Sequence, residues 1–295
     1  FSEPGIPRSD PAYFSLLLLN EIVSGSSALS SRLGHVIRDQ HGLAYGVSQT
    51  GRFLRQFLYQ GFNTDARGRR AFDGVFAHTA GAGRGSFNHR FAQPSRDAQP
   101  YSTFFYPTDL FPFTSLEETD PATGARGALR TAASLRNAPK VFYVDGGYEY
   151  WGRAASLTHT TPDGARDVGL LPSERRYALS SAQHSSPAAF PPQPNARIGD
   201  GPAWRGDPLD QRLALRALLV ALVDWVRDGR EPPPSRYPTV AAGTLVPPDS
   251  ARRPAIPGVP LARLPYTPRR LDLGARWPLG IVGREPPGVG APYRV

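Results

Sequence analysis

Gly46-Val47-Ser48-Gln49-Thr50-Gly51 is the stretch on which the fold of this chain is decided. Before it, Leu43 to Val47 reads as a short extended run. After it, Phe53, Leu54, Phe57 and Leu58 fall on one face of a helix that Gly61 should end. A serine between strand and helix, with small residues beside it, is the setting of a nucleophile elbow. The turn is sharp, so bulky neighbours are excluded, and the hydroxyl is raised above the sheet next to a helix N-terminus. The spacing is Gly-x-Ser-x-x-Gly, longer by a residue than the usual pattern, and a plain glycine-flanked turn would give the same string.

Further along, Phe72 to Ala77, Lys140 to Val144 and Arg175 to Ser180 read as strands separated by long Gly/Pro-rich connections. Leu209 to Val226 is the strongest helix in the sequence, with a nearly continuous apolar face that ends in Trp225 and Val226. Strands alternating with helices point to a parallel sheet, hence an α/β fold. A hydrolase with such an elbow orders its triad as serine, acid, histidine. His184 follows the last strand in Ser180-Ser181-Ala182-Gln183-His184-Ser185, where an imidazole can take the serine proton. The bland alternative is a loop histidine that merely hydrogen-bonds. His35 and His41 precede the elbow, and His78, His89 and His159 fall outside the last-strand position. The acid belongs after the strand Lys140 to Val144, where both Asp145 and Glu149 qualify and spacing cannot choose between them.

The 295 residues suffice for a large α/β domain or two smaller ones. With 40% apolar and 20% charged residues the chain is an ordinary soluble globular protein, while 32 prolines and 30 glycines point to much loop. The absence of cysteine rules out disulfides and thiolate zinc sites and leaves the compartment open. The net charge of +9 is carried by scattered arginines, Lys140 being the only lysine. No basic stripe or aromatic platform marks a nucleic-acid surface, and no run reaches the ~20 apolar residues of a membrane span. The chain begins at Phe1 and contains no methionine, so a fragment or processed form is expected. Upstream, Asp10 to Ile22 suits a helix with Asp10 as N-cap and Pro11 at its first position, and a second helix is expected through Leu29, Leu33, Val36 and Ile37. From Glu231 onward, proline-rich sequence reads as an extended tail along the domain surface.

Two resemblances add to this reading. The string from Gly5 to Ser48, GIPRSDPAYFSLLLLNEIVSGSSALSSRLGHVIRDQHGLAYGVS, resembles the start of a C-terminal domain of pitrilysin/insulinase-type zinc peptidases. Such a domain is usually non-catalytic, and the inverted His-x-x-Glu-His zinc motif is absent from this chain. From about Tyr45 to Val259 the stretches GVSQTGRFLRQFLYQGFN, FDGVFAHTAGAGRGSFNHRFAQPSRDAQPYS, YEYWGRAASLTHTTPDG and LRALLVALVDWVRDGREPPPSRYPT resemble a bacterial alpha/beta-hydrolase family. That resemblance implies Ser48 as nucleophile, His184 as base and Glu149, rather than Asp145, as acid. The Glu149 carboxylate is then expected at the His184 ring, shielded by Tyr148, Tyr150 and Trp151, with Asp145 on a flexible turn.

The expected architecture is an incomplete alpha/beta-hydrolase sheet with flanking helices and long Pro/Gly-rich loops. A peptidase-like segment over residues 1–45 precedes a hydrolase-like domain over 46–295, with the proline-rich tail from about 231. The expected activity is cleavage of a small-molecule carboxylic ester without a cofactor, with no nucleic-acid or membrane partner; oligomeric state stays open. The Gln49 amide supplies part of an oxyanion hole. A second donor normally comes from a loop after an early strand, which the resemblance does not find here, so a slow enzyme is expected. The Phe- and Tyr-rich stretch from Gly81 to Thr114 is expected over the site, with Arg84, Asn88, His89 and Arg90 contacting a polar substrate. The competing readings are a non-catalytic subunit that docks through Gly5 to Tyr45, and an inert fusion fragment.

Overall fold

The structure, a computed structural model, describes residues 42–85, 110–185, 209–252, 256–257, 265–279, 281–285 and 287–295. The helices expected within residues 10–37 lie outside the described residues, as does nearly all of the segment 1–45.

Four strands, β1 (Leu43–Val47), β2 (Gly74–His78), β5 (Lys140–Gly146) and β6 (Glu174–Leu179), pair in parallel in the order β1-β2-β5-β6. Between them in the chain lie a two-residue pair, β3 (Glu118–Thr119) and β4 (Arg126–Gly127), and the short helix α2 (Ala132–Leu135). Helices α1 (Gln49–Tyr59) and α4 (Arg212–Asp228) cover the sheet, and α3 (Gly147–Gly152) follows β5 directly. Among the described residues this is an α/β fold with a partial parallel sheet of hydrolase type.

The central strands β2 and β5 are largely apolar on both faces because both faces are covered. Alternation sends Leu43, Phe76, Phe142, Val144 and Tyr177 to one side, where Leu222 and Trp225 of α4 meet them. Ala44, Val75, Ala77, Val141 and Tyr143 point to the other side, against Leu54 and Leu58 of α1. Each of the Val, Leu and Phe side chains here, fully buried, contributes about 1.5–3 kcal/mol. The register places Val47, His78, Val144 and Tyr177 in one row, so the chain leaves all four strands at the same edge of the sheet. In open parallel sheets ligands bind at the carboxyl ends of the strands.

Several boundaries differ from the sequence reading, and two of the starts have clear local reasons. Strand β2 starts at Gly74 because the Phe72 amide is taken by Asn63 Oδ1 and the Asp73 amide by the Gly42 carbonyl. Helix α4 starts at Arg212, whose amide donates to the Asp210 carboxylate. The segment after Glu231 departs further from a simple extended tail. Arg236 bridges alongside Tyr177, and the hairpin of β7 (Arg269–Asp272) and β8 (Gly288–Pro292) packs back onto the domain. Arg270 pairs with both oxygens of Asp120 at 2.6 and 2.7 Å, and Tyr293 stacks edge-on against Phe113.

Phe142 is fully buried between Phe76, Tyr177 and Trp225. Phe142→Ala should therefore cost about 3–5 kcal/mol, read as a lowered urea midpoint with an unchanged slope. A loss below about 1 kcal/mol would show that the packing at this point is not as described.

Candidate active site

Ser48 links β1 to α1 with φ 54° and ψ −116°. Positive φ is uncommon for a residue with a side chain and costs of order 1–3 kcal/mol, so the neighbours must enforce it. The Ser48 amide donates to the His78 carbonyl at 2.9 Å, and its own carbonyl accepts the first helical bond from Arg52 at 2.9 Å. The Thr50 hydroxyl, 2.8 Å from both the amide and the carbonyl of Val47, closes the turn. A Cβ on Gly46 would lie 2.6 Å from the Thr50 carbonyl oxygen, and one on Gly51 would lie 2.8 Å from the His78 carbonyl oxygen. That second approach gives the longer Gly-x-Ser-x-x-Gly spacing its reason: Gly51 is the helix residue that passes over the end of β2. Gln49 is the first residue of α1, the position whose amide can face an oxyanion forming at Ser48.

His184, in the loop after β6, stands between Ser48 and Glu149. Its Nε2 lies 2.8 Å from Ser48 Oγ and its Nδ1 lies 2.6 Å from Glu149 Oε1. A carboxylate can only accept, so Nδ1 carries the proton and Nε2 is left to accept from the serine hydroxyl. Glu149 is the third residue of α3 and is fully buried, and its other oxygen accepts from the Gly146 amide at 2.8 Å. Burial raises the Glu149 pKa, the hydrogen bond with His184 lowers it, and nearby Asp145 adds a smaller upward push. The Gly146-Gly147 pair is what lets α3 meet the loop that leads to His184. A Cβ on Gly146 would lie 2.9 Å from both the Ala182 carbonyl oxygen and Glu149 Oε2, and one on Gly147 would lie 3.1 Å from the Ser181 nitrogen.

The aromatic neighbours divide differently from the expected shield. Tyr148 is 44% exposed and meets the His184 ring edge-on, with centroids 5.4 Å apart. The Tyr150 hydroxyl lies 3.0 Å from Nε2 of the buried His159, whose pKa burial and the charge of Arg176 push down to about 3.

Asp145 is not on a flexible turn. It lies within β5, 4% exposed, accepting from the Gly81 amide at 3.0 Å and pairing with Arg176 at 3.3 Å. Arg84 also turns inward. Its guanidinium donates to the Leu110 and Phe111 carbonyls and sits 4.1 Å above the Tyr59 ring, a placement that packs the loop and gives the side chain no exposed face for substrate. Asn88, His89 and Arg90 lie outside the described residues. Sequence reasoning gave Gln211 no role and set His78 aside; both are buried, Gln211 reaching the Gln183 carbonyl while the His78 carbonyl accepts from the Ser48 amide. Their only signal was a polar residue at the start of the strongest helix and a histidine closing a strand. Among the described residues no helix is long and apolar enough to cross a membrane.

The profile of a family described as an alpha/beta hydrolase domain matches residues 27–266. No curated protein and no solved structure matches the chain. The family match starts inside the Gly5 to Ser48 stretch, and no comparison supports a separate peptidase-like segment there.

Two outcomes follow from this geometry. Gly46→Ala should cost about 1–3 kcal/mol by overpacking the turn and lower the yield of folded protein, measured by thermal melting. A melting temperature equal to that of the parent would show the turn to be open. For His159, a native pKa near 3 against an ordinary 6.5 means that the unfolded chain takes up the proton first. Its contribution is therefore complete above pH 6.5 and is lost as pH falls toward 3. His159→Gln should make melting temperature fall less steeply across that window than in the parent; an equal or steeper fall would refute the assignment.

Proposed function

The chain belongs to the alpha/beta hydrolase domain family, and on that footing we propose that it cleaves carboxylic esters with Ser48 as nucleophile, His184 as general base and Glu149 as the acid that orients it. In this reading residues 46–295 act as one hydrolase-like domain on which the segment from about 231 packs. The supporting observation is that the two ring nitrogens of His184 are engaged separately, one by Ser48 and the other by Glu149.

Ser48 Oγ attacks the acyl carbon while His184 Nε2 takes its proton, and buried Glu149 stabilises the imidazolium that results. The negative charge that develops on the carbonyl oxygen is met by the Gln49 amide. Collapse of the tetrahedral intermediate breaks the ester C–O bond, and the imidazolium returns its proton to the departing alcohol. Water, deprotonated by the same nitrogen, then releases the acyl group from Ser48. A missing oxyanion donor costs about 10²–10³ in rate, so a site relying on Gln49 alone should be slow. The resemblance of Gly5 to Ser48 to a zinc-peptidase domain adds no residue to this chemistry apart from the shared Ser48.

The test is hydrolysis of p-nitrophenyl acetate. Ser48→Ala should abolish turnover above background. Glu149→Gln should lower it by about 10³–10⁴ through loss of the oriented tautomer. Asp145→Asn should leave the rate per folded molecule near that of the parent while destabilising the fold by about 3–5 kcal/mol, because Arg176 loses its buried partner. Retained turnover in Ser48→Ala would place the chemistry elsewhere, and the reverse pattern for the two carboxylates would exchange their roles.

A further inference from the structure

Gln211, the residue before α4, is 2% exposed and lies between two parts of the site that are distant in sequence. Its Nε2 is 2.9 Å from the carbonyl oxygen of Gln183, the residue before the base, and its Oε1 is 3.4 Å from Nε2 of His78. A backbone carbonyl can only accept, which fixes the amide with its nitrogen toward Gln183 and its oxygen toward His78. His78 must then carry its proton on Nε2 and donate. Burial lowers the His78 pKa, in keeping with a neutral ring of defined tautomer.

His78 is the last residue of β2, in register with Val47 on one side and Val144 on the other, and its carbonyl accepts from the Ser48 amide. One residue therefore holds the nucleophile through its main chain and the base loop through its ring and Gln211. The base loop needs such a tie. His184 is itself partly exposed, and its backbone is anchored nearby by the Tyr148 amide on the Ala182 carbonyl and the Ala182 amide on the Leu179 carbonyl, both of which precede Gln183.

We infer that Gln211 is a positioning residue that, through His78 and the Gln183 carbonyl, sets the distance between His184 and Ser48. The inference rests on the triad reading above. A positioned base is sensitive to small displacements, since a shift of about 1 Å can cost about 10²-fold in rate. An apolar side chain at position 211 removes the bonds to the Gln183 carbonyl and to the His78 ring, and so loosens the hold on the loop.

The experiment compares the full chain with Gln211→Met and Gln211→Glu. Turnover of p-nitrophenyl acetate is normalised to the number of sites that react with a fluorophosphonate, so that loss of folded protein cancels. Gln211→Met should lower the rate per reactive site about 10–100-fold with KM little changed, and should broaden the downfield proton resonance of the His184–Glu149 hydrogen bond. If Gln211→Met does not fold, Gln211→Glu decides. It keeps the volume and the partner of His78 but offers the Gln183 carbonyl no amide donor, and it should show a loss in the same range. His78→Phe combined with Gln211→Met should lose no more than the single variant, as expected of one connected unit. An unchanged rate per site and an unchanged resonance, with turnover still dependent on Ser48, would overturn this inference alone. Turnover independent of Ser48 would overturn the triad reading, while the broadened resonance in Gln211→Met would still report the tie.

Discussion

The hydrogen bond from the Ser48 amide to the His78 carbonyl holds the rest of the site in place. A serine at φ 54° would relax if its turn were free, and this bond ties it to the neighbouring strand while Gly46 and Gly51 let helix and strand approach closely enough to form it. The parallel register then does the remaining work. Because Val47, His78, Val144 and Tyr177 share a row, the segments that carry Ser48, Glu149 and His184 leave the sheet at one edge. Three residues separated by up to 136 positions in the chain thereby come within hydrogen-bonding distance.

Beneath the site the sheet carries an unusual amount of buried charge. The guanidinium groups of Arg55 and Arg176 lie 5.7 and 5.0 Å from the Tyr143 ring centroid, and the Tyr143 hydroxyl approaches Glu174, which also accepts from Ser115. Burial lowers the Arg55 pKa to about 10, which still leaves it charged at neutral pH. Such groups add little net stability when paired, but removing one partner leaves an uncompensated charge and is strongly destabilising. Asp145 belongs to this layer, and its bond to the Gly81 amide fixes the turn leaving β2, the strand that also anchors Ser48. The carboxylates of Asp145, within β5, and Glu149, in α3 just after it, thus differ by environment. Asp145 faces a guanidinium inside the protein, whereas Glu149 faces an imidazole at its edge.

Much of this was legible in the residues. The strand before Ser48, the helix after it and the two central strands show clear apolar patterning, because buried parallel strands and amphipathic helices leave periodic signals. The order of serine, acid and histidine followed from where those elements end, and the choice of Glu149 over Asp145 needed the family resemblance. What escaped depends on contacts between distant segments. The reason for Gly51 lies in the carbonyl of His78, and the reason for the Gly146-Gly147 pair lies in the loop before His184. Arg84 was expected to contact a polar substrate, and sequence does not show the carbonyls of Leu110 and Phe111 to which it donates. The segment after Glu231 looked extended because proline suppresses regular structure, yet Arg270 and Tyr293 lock it to Asp120 and Phe113.

The central claim is that the strained serine is the reactive group of this chain and that the histidine beside it makes it so. Intact-mass analysis followed by peptide mapping after treatment with a fluorophosphonate measures this most directly. One adduct on the peptide containing Ser48, absent after His184→Ala, is the predicted result. Labelling of a different serine, or equal labelling of Ser48 with and without His184, would contradict it.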